Sequence, residues 1–325
     1  MSNLQNRPLK VLLPAKPADD LANVTRLLRA ALPADRTHVR RFYVHRPVES
    51  NFFLPGTATR LRDIPRLEFE AEIATRAESE REMEGLADAG FEVSADIVRG
   101  TPAEEILREA SLWRADLVAV RTRSASVTDN RVGNMASALI HHATCPVLTY
   151  LAVPAGYRLR RVLIPVDFSR ASRATVPWGL ALADLAGAEA VLLHVIGRWV
   201  GPHGIDTHDL VDVAREELDR WRSEAQSAAR PPTQARVITA ETPAEGIVAL
   251  AEEDGYDLVV LSATGVSAVR AALVGSNARQ VLRTARTPVL VVPTSNRVAV
   301  EDFLARAREA APARPPAAES FAVPV

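Results

Sequence analysis

The segment Ser262-Ala-Thr-Gly265, followed after nine residues by Gly275-Ser276-Asn277, carries the residue types that hold an anion. Glycine lets a backbone come close to a phosphate, and the first N–H groups of a helix lack carbonyl partners and sit at the positive end of its dipole. Ser276 adds a hydroxyl donor. A plainer explanation fits the same residues: Gly265 ends a strand and Gly275-Ser276 opens a helix, with no ligand. Upstream, the loop after the apolar run Val162–Val166 also lies at the carboxyl end of a strand, where doubly wound sheets bind ligands.

Other clusters have structural explanations. His203, Asp206, His208 and Asp209 fall within seven residues, a spacing open to a divalent metal, but a polar loop entering a helix with an aspartate cap explains them too, and no metal site is expected. His141-His142 suit a helix C-terminus, where imidazolium complements the dipole. The one cysteine, Cys145, reads as a small buried hydrophobe before Pro146, and His194 as a packed ring near the sheet edge rather than a general base. Neither a nucleophile elbow nor Gly-x4-Gly-Lys-Ser/Thr is present, and no catalytic residues are expected.

These candidates need elements to position them, and the chain supplies those elements twice. Lys10-Val-Leu-Leu-Pro14 recurs as Arg161-Val-Leu-Ile-Pro165, Thr101-Pro-Ala-Glu-Glu-Ile106 as Thr242-Pro-Ala-Glu-Gly-Ile247, Ala115-Asp-Leu-Val118 as Tyr256-Asp-Leu-Val259, and Cys145-Pro-Val-Leu148 as Thr287-Pro-Val-Leu290. The offset falls from 151 to about 141 positions, which places some ten extra residues in the first half, within 49–67. There Phe52, Phe53 and Leu54 could form a flap or a packed loop. In the second half, strands are expected over Val162–Val166, Ala190–Val195, Ala235–Ala240, Leu258–Leu261 and Val289–Val292, with helices over Ala171–Ala186, Asp209–Ala229, Pro243–Asp254 and Gly275–Ala285. Gly187 reads as a helix stop, and Thr101 and Thr242 as N-caps with Glu104 and Glu245 in the capping-box position. Near-continuous Val/Leu/Ile strands joined by helices imply a parallel sheet covered on both faces, hence two α/β, doubly wound, five-stranded domains. The expected boundaries are 7–151 and 158–294, followed by a tail over 295–325. In it, Val298–Ala310 is expected as an amphipathic helix with Val300, Phe303, Leu304 and Ala307 on one side, open to covering an exposed sheet edge, docking on a partner or fraying, and the Pro/Ala-rich remainder is expected to be disordered.

Composition fits two ordinary domains. The chain has 325 residues, 47% hydrophobic and 24% charged, with a net charge of −1, so no basic excess points to nucleic acid. A single cysteine, no secretory h-region and no long apolar span lead to the expectation of a soluble cytoplasmic protein with no membrane partner.

The order Val-Leu-Ile-Pro-Val-Asp-Phe-Ser (162–169), Leu-Leu-His-Val (192–195), Asp-Leu-Val-Val-Leu (257–261), Gly265, Gly275-Ser276 and Thr-Pro-Val-Leu-Val-Val (287–292) resembles a universal stress protein domain. The likeness covers nearly all of 158–294 and, more weakly, 7–151, so the chain is similar to a tandem universal stress protein. The resemblance implies an adenine-nucleotide alpha hydrolase-like fold, contact between the halves through Val147–Leu151 and Val289–Val292 as an intramolecular pseudo-dimer, and a stress regulator rather than a catalyst. A further homodimer and an unidentified protein partner are compatible with it. In the nucleotide-binding branch of the family it implies ATP, with Mg as an accompanying ion, at Gly-x2-Gly-x9-Gly-(Ser/Thr). Carried over by position, Asp167 lies near base or ribose, Val166, Val195 and Leu261 offer backbone and apolar contacts, and Ser262, Gly265, Gly275, Ser276 and Asn277 surround the phosphates. Ser262 departs from the family's first glycine. The first half departs further, with Lys16, Arg121 and Ser124 where the second has Asp167, Ser262 and Gly265, and only Gly133-Asn134 keeping the helix start, so it reads as a degenerate copy. A nucleotide-free scaffold of the same fold is the alternative.

Overall fold

The computed structural model describes residues 7–14, 21–46, 73, 80, 83–122, 134–198, 207–228, 231–265 and 274–309. In the first half the order is β1 (Leu9–Pro14), α1 (Leu21–Ala31), β2 (Thr37–His45), β3 (Glu92–Arg99), α2 (Pro102–Leu112), β4 (Leu117–Arg121), α3 (Asn134–His142) and β5 (Val147–Tyr150). The second half follows with β6 (Arg161–Pro165), α4 (Arg170–Ala186), β7 (Glu189–Gly197), α5 (Thr207–Ala228), β8 (Thr233–Ala240), α6 (Pro243–Glu253), β9 (Leu258–Ser262), α7 (Ser276–Thr284) and β10 (Val289–Val292), and α8 (Val300–Arg308) closes the described chain.

The strands form one ten-stranded sheet in the order β3-β2-β1-β4-β5-β10-β9-β6-β7-β8. Within each half all pairing is parallel, as the apolar runs imply, and strand order reverses between β1 and β4 and again between β6 and β9. The halves meet where β5 and β10 pair antiparallel, Leu148 opposite Leu290, so the expected contact through the last strands is present, with Leu151 just beyond β5. Thr149 Oγ donates to the Val289 carbonyl across this seam at 3.1 Å, a polar bond inside an otherwise apolar joint. The pairing gives each last strand a partner and removes two open edges.

Helices cover both faces. Leu27, Leu28, Val176, Trp178, Leu182, Leu218 and Trp221 belong to the core under α1, α4 and α5, and Ile106, Ile140, Ile247, Leu250 and Val281 to the core under α2, α3, α6 and α7. Helix ends follow local chemistry. Ser169 Oγ accepts from Ser172 N at 3.1 Å to start α4, and Gly187 ends that helix at φ 65. Thr242 Oγ accepts from Glu245 N at 3.2 Å, as expected. Thr101 does not cap: its backbone sits at φ −80 and ψ 118, against −131 and 152 at Thr242, its side chain makes no cap bond, and α2 starts at Pro102 without one. Thr233 and Gln234 at the start of β8, and Ile196 and Gly197 at the end of β7, extend strands beyond their expected limits because they pair through their backbones.

Antiparallel joining places the end of β10 beside the strand starts of the first half. The expected tail helix is there, shortened to Val300–Arg308, with Val300, Phe303 and Ala307 buried. Phe303 lies 5.0 Å from Trp178 of α4, while Arg306 forms an ion pair with Asp116, whose side chain is 8% exposed. Arg36 donates Nε to the Arg306 carbonyl at 3.1 Å, completing the last turn with a cation at its negative end. Helix α8 therefore spans both halves rather than covering a sheet edge. The segment after β5 does the matching job on the second half, where Tyr157 donates to the Asp257 carbonyl at 2.7 Å. Replacing Phe303 by alanine removes the aromatic wall shared by the halves. Loss of that ring is expected to cost about 3–5 kcal/mol, read as a lower urea midpoint with an unchanged m-value; a change below about 1 kcal/mol would place α8 outside the core.

Candidate functional site

The switch point between β6 and β9 opens into a cleft of about 290 Å³. All nine residues expected at the site line it: Val166 and Asp167 after β6, Val195 in β7, Leu261 and Ser262 at the end of β9, Gly265 beyond it, and Gly275, Ser276 and Asn277 at the start of α7. Leu193, Ile247, Leu261 and Val281 make an apolar floor, and Ser172, Thr264 and Ser276 contribute hydroxyls to the lining. Sequence reasoning passed over Ile247, Val281, Ser172 and Thr264. The signal for Ile247 was present, since it ends the repeated Thr-Pro-Ala-Glu-x-Ile landmark whose turn lies by this mouth.

Two backbone connections shape the phosphate-type side. Ala263 N–H donates to the Val292 carbonyl at 3.0 Å, and Gly275 N–H to the Ala263 carbonyl at 2.8 Å, which draws the start of α7 against the end of β9. Gly275 is the N-cap at φ −57 and ψ 152, and its carbonyl accepts from Arg279 N–H at 3.0 Å. The N–H groups of Ser276, Asn277 and Ala278 occupy the first turn, where a helix offers them no carbonyl. Ser262, the departure from glycine, does not have a left-handed backbone; among described non-glycine residues that conformation belongs to Arg114 and Phe168. Its Cβ is thus unstrained, and its hydroxyl donates to the Thr264 carbonyl, bracing the turn.

Asp167 faces the other side. Its Oδ1 accepts from Ser169 N at 3.1 Å, and Oδ2 lies so near Gly265 that a Cβ added there would be 2.5 Å away. A side chain at 265 would have to displace the Asp167 carboxylate. Among the described residues lining the cleft Asp167 is the one acidic group and none is basic, so the positive potential comes from α7 backbone. A magnesium ion would find a single carboxylate here and would need phosphate oxygens and water for the rest of its shell. No group of three or more metal-type side chains occurs among the described residues.

The remaining candidates are placed as follows. His194 is half-buried, with Nδ1 2.8 Å from the Val166 carbonyl and its ring stacked on Phe168 at 4.5 Å. Cys145 is buried, and burial, aided by Asp116, pushes its thiol up to about 12, which makes it inert. His141 and His142 end α3. In the first half β4 ends at the exposed Arg121 and α3 begins at Asn134, while Lys16, Ser124 and Gly133 lie outside the described residues. So do residues 49–67, His203, Asp206, residues 310–325 and the side chains of His208 and Asp209. The Asp167–Gly265 approach makes a testable coupling. Gly265→Ala should lose about 1 kcal/mol in denaturant unfolding, and the same change in an Asp167→Ala background should cost almost nothing; equal losses in both backgrounds would contradict the contact.

Comparison with known proteins places this geometry. The model of the universal stress protein family matches residues 22–150 and again 158–293. A universal stress protein of Mycobacterium tuberculosis strain H37Rv is 30% identical over 173 residues, covering 50% of this chain and 56% of the relative, so the chain spans about half the length of that relative. One from Methanocaldococcus jannaschii is 24% identical over 158 residues, covering 42% of this chain and 96% of the relative. Among solved structures, a universal stress protein from Archaeoglobus fulgidus aligns with a TM-score of 0.58 at 18% identity, over 87% of this chain and 97% of that one. A functionally unknown protein from Pseudomonas aeruginosa PAO1 aligns at 0.61 with 17% identity, over 94% and 98%. With the family model matched in both halves and the fold shared along most of its length, the chain belongs to the universal stress protein family and carries two of its domains.

Proposed function

We propose that the second half binds an adenine nucleotide, ATP, in the β6/β9 cleft, and that the protein acts as a stress-response regulator rather than a catalyst. The observation that carries this reading is the convergence of Gly265, Gly275, Ser276 and Asn277 with Asp167 around one cleft that has an apolar floor. The cleft is polar in a directional sense. Phosphates suit the α7 N-terminus, whereas ribose hydroxyls or the base amine suit the Asp167 carboxylate, which would repel phosphate. With a net charge of −1 the whole chain supplies no steering field for an anion, so attraction is local.

A ligand touching both Gly265 and Gly275 would contact both flanks of segment 266–273, and that is the event a protein partner would read. The first half, with Arg121 at the position of Ser262, serves as a degenerate assembly partner, and 7–151 and 158–294 act as the two units. No described helix is long and apolar enough to cross a membrane, and we place the protein in the cytoplasm. Ser262 favours the competing reading of a nucleotide-free scaffold, because its hydroxyl already engages the turn beside the site.

Titration of the full chain with labelled ATP separates these readings. One ATP per chain is expected, with affinity lowered at least about tenfold by Gly275→Val, whose Cβ would make only ordinary contacts with Gly265 N, the Ala263 carbonyl and Thr264. An unchanged circular-dichroism melt would show that the variant folds. Absence of binding at millimolar ATP supports the scaffold, and two ATP per chain contradict the degenerate first half.

A further inference from the structure

Phe168 lies beside Asp167 with φ 60, a left-handed backbone that a bulky residue keeps only when its surroundings enforce it. Two rings pack against it here. The Phe168 ring stacks on His194 at 4.5 Å with 30° between planes and meets Trp221 edge-on at 5.5 Å. His194 is fixed in turn, because a carbonyl only accepts: Nδ1 must carry the hydrogen that reaches Val166 O at 2.8 Å. Trp221 is held by its Nε1 donating to Glu217 at 3.0 Å and by the Arg173 guanidinium 4.8 Å from its ring.

The left-handed turn decides where the neighbouring carboxylate stands. The bond from Ser169 N to Asp167 Oδ1 crosses over Phe168, and with that oxygen anchored the other sits against Gly265. A different Phe168 backbone would re-aim the Ser169 N–H and, with it, the carboxylate that it anchors. Its placement matters because it decides which end of the cleft accepts hydrogen-bond donors and which end admits phosphate.

We propose that Phe168 and His194 are positioning residues of the cleft, their stacked rings holding the left-handed turn that sets the Asp167 carboxylate against Gly265. The ligand side of this proposal rests on the nucleotide reading; the geometric side does not. The test uses the full chain with Phe168→Ala and Phe168→Gly, read by amide hydrogen exchange at Ser169 and by affinity for ATP and for adenosine. Alanine keeps the steric objection to φ 60 and loses the ring, whereas glycine accepts that backbone without any ring. Alanine is expected to speed Ser169 exchange about tenfold and to weaken ATP and adenosine alike by about tenfold, and glycine to return both close to the parent chain. His194→Asn, which keeps a donor for the Val166 carbonyl but removes the stacking face, should follow the alanine variant. Glycine as damaging as alanine, an alanine variant equal to the parent, or parent-like exchange in His194→Asn overturns the proposal. Should the parent chain bind neither ATP nor adenosine, the nucleotide reading fails, and the exchange pattern at Ser169 still decides the positioning claim.

Discussion

Three residue pairs, Val147 with Val291, Leu148 with Leu290 and Thr149 with Val289, hold the two halves in one sheet. Because this single pairing is antiparallel while every other is parallel, the carboxyl ends of the strands in the two halves face opposite ways. The strand ends that carry the second-half cleft are therefore remote from those of the first half. The same constraint explains the two connecting segments. Whatever follows β5 emerges at the strand starts of the second half, and whatever follows β10 emerges at those of the first. Tyr157 and α8 occupy these positions, bonded respectively to the Asp257 carbonyl and the Asp116 carboxylate. A small apolar cavity of about 20 Å³ remains where Leu27, Leu148, Leu182, Leu290 and Phe303 meet. Its lining is almost wholly apolar, which disfavours a water molecule.

Symmetry of fold coexists with asymmetry of chemistry. In the second half, β9, the α7 N-terminus and the Asp167 loop form a cleft lined by backbone N–H groups, hydroxyls and one carboxylate. At the matching strand end of the first half stands Arg121, a long cation where the second half has a short hydroxyl. Such a change alters both space and charge at that strand end, even though the strands of the two halves are ordered alike. The tail adds a further asymmetry: α8 brings Arg306 and Arg308 to Asp116 of the first half and Asp184 of the second, a clamp made by one end of the chain alone.

Much of this was legible in the amino-acid order. The strands β6, β9 and β10 are short apolar runs bounded by polar or turn residues, and buried parallel strands tolerate little else. The nine cleft residues were legible because the motif order resembles a universal stress protein domain, which carries each position over to a strand end, to Gly265 or to the start of α7. Less legible features depend on geometry that composition does not encode. Thr101 has the same neighbours as Thr242, Pro at the first helical position and Glu three residues on, yet a modest backbone difference removes its cap bond. The φ of Phe168 cannot be read from Asp-Phe-Ser; it follows from the rings of His194 and Trp221, 26 and 53 residues away in sequence. Amphipathicity showed that the tail helix would bury Val300, Phe303 and Ala307, but only the antiparallel seam decides against what.

The central claim is that the second-half cleft holds an adenine nucleotide with its phosphates on the α7 N-terminus and its nucleoside toward Asp167. A crystal structure of the full chain grown with saturating ATP tests it most directly. One nucleotide per chain is expected, phosphate oxygens within hydrogen-bond distance of the Ser276 and Asn277 N–H groups and a ribose or base donor on the Asp167 carboxylate. A nucleotide seated in the first half, one bound in the reverse direction, or a cleft without nucleotide would contradict it.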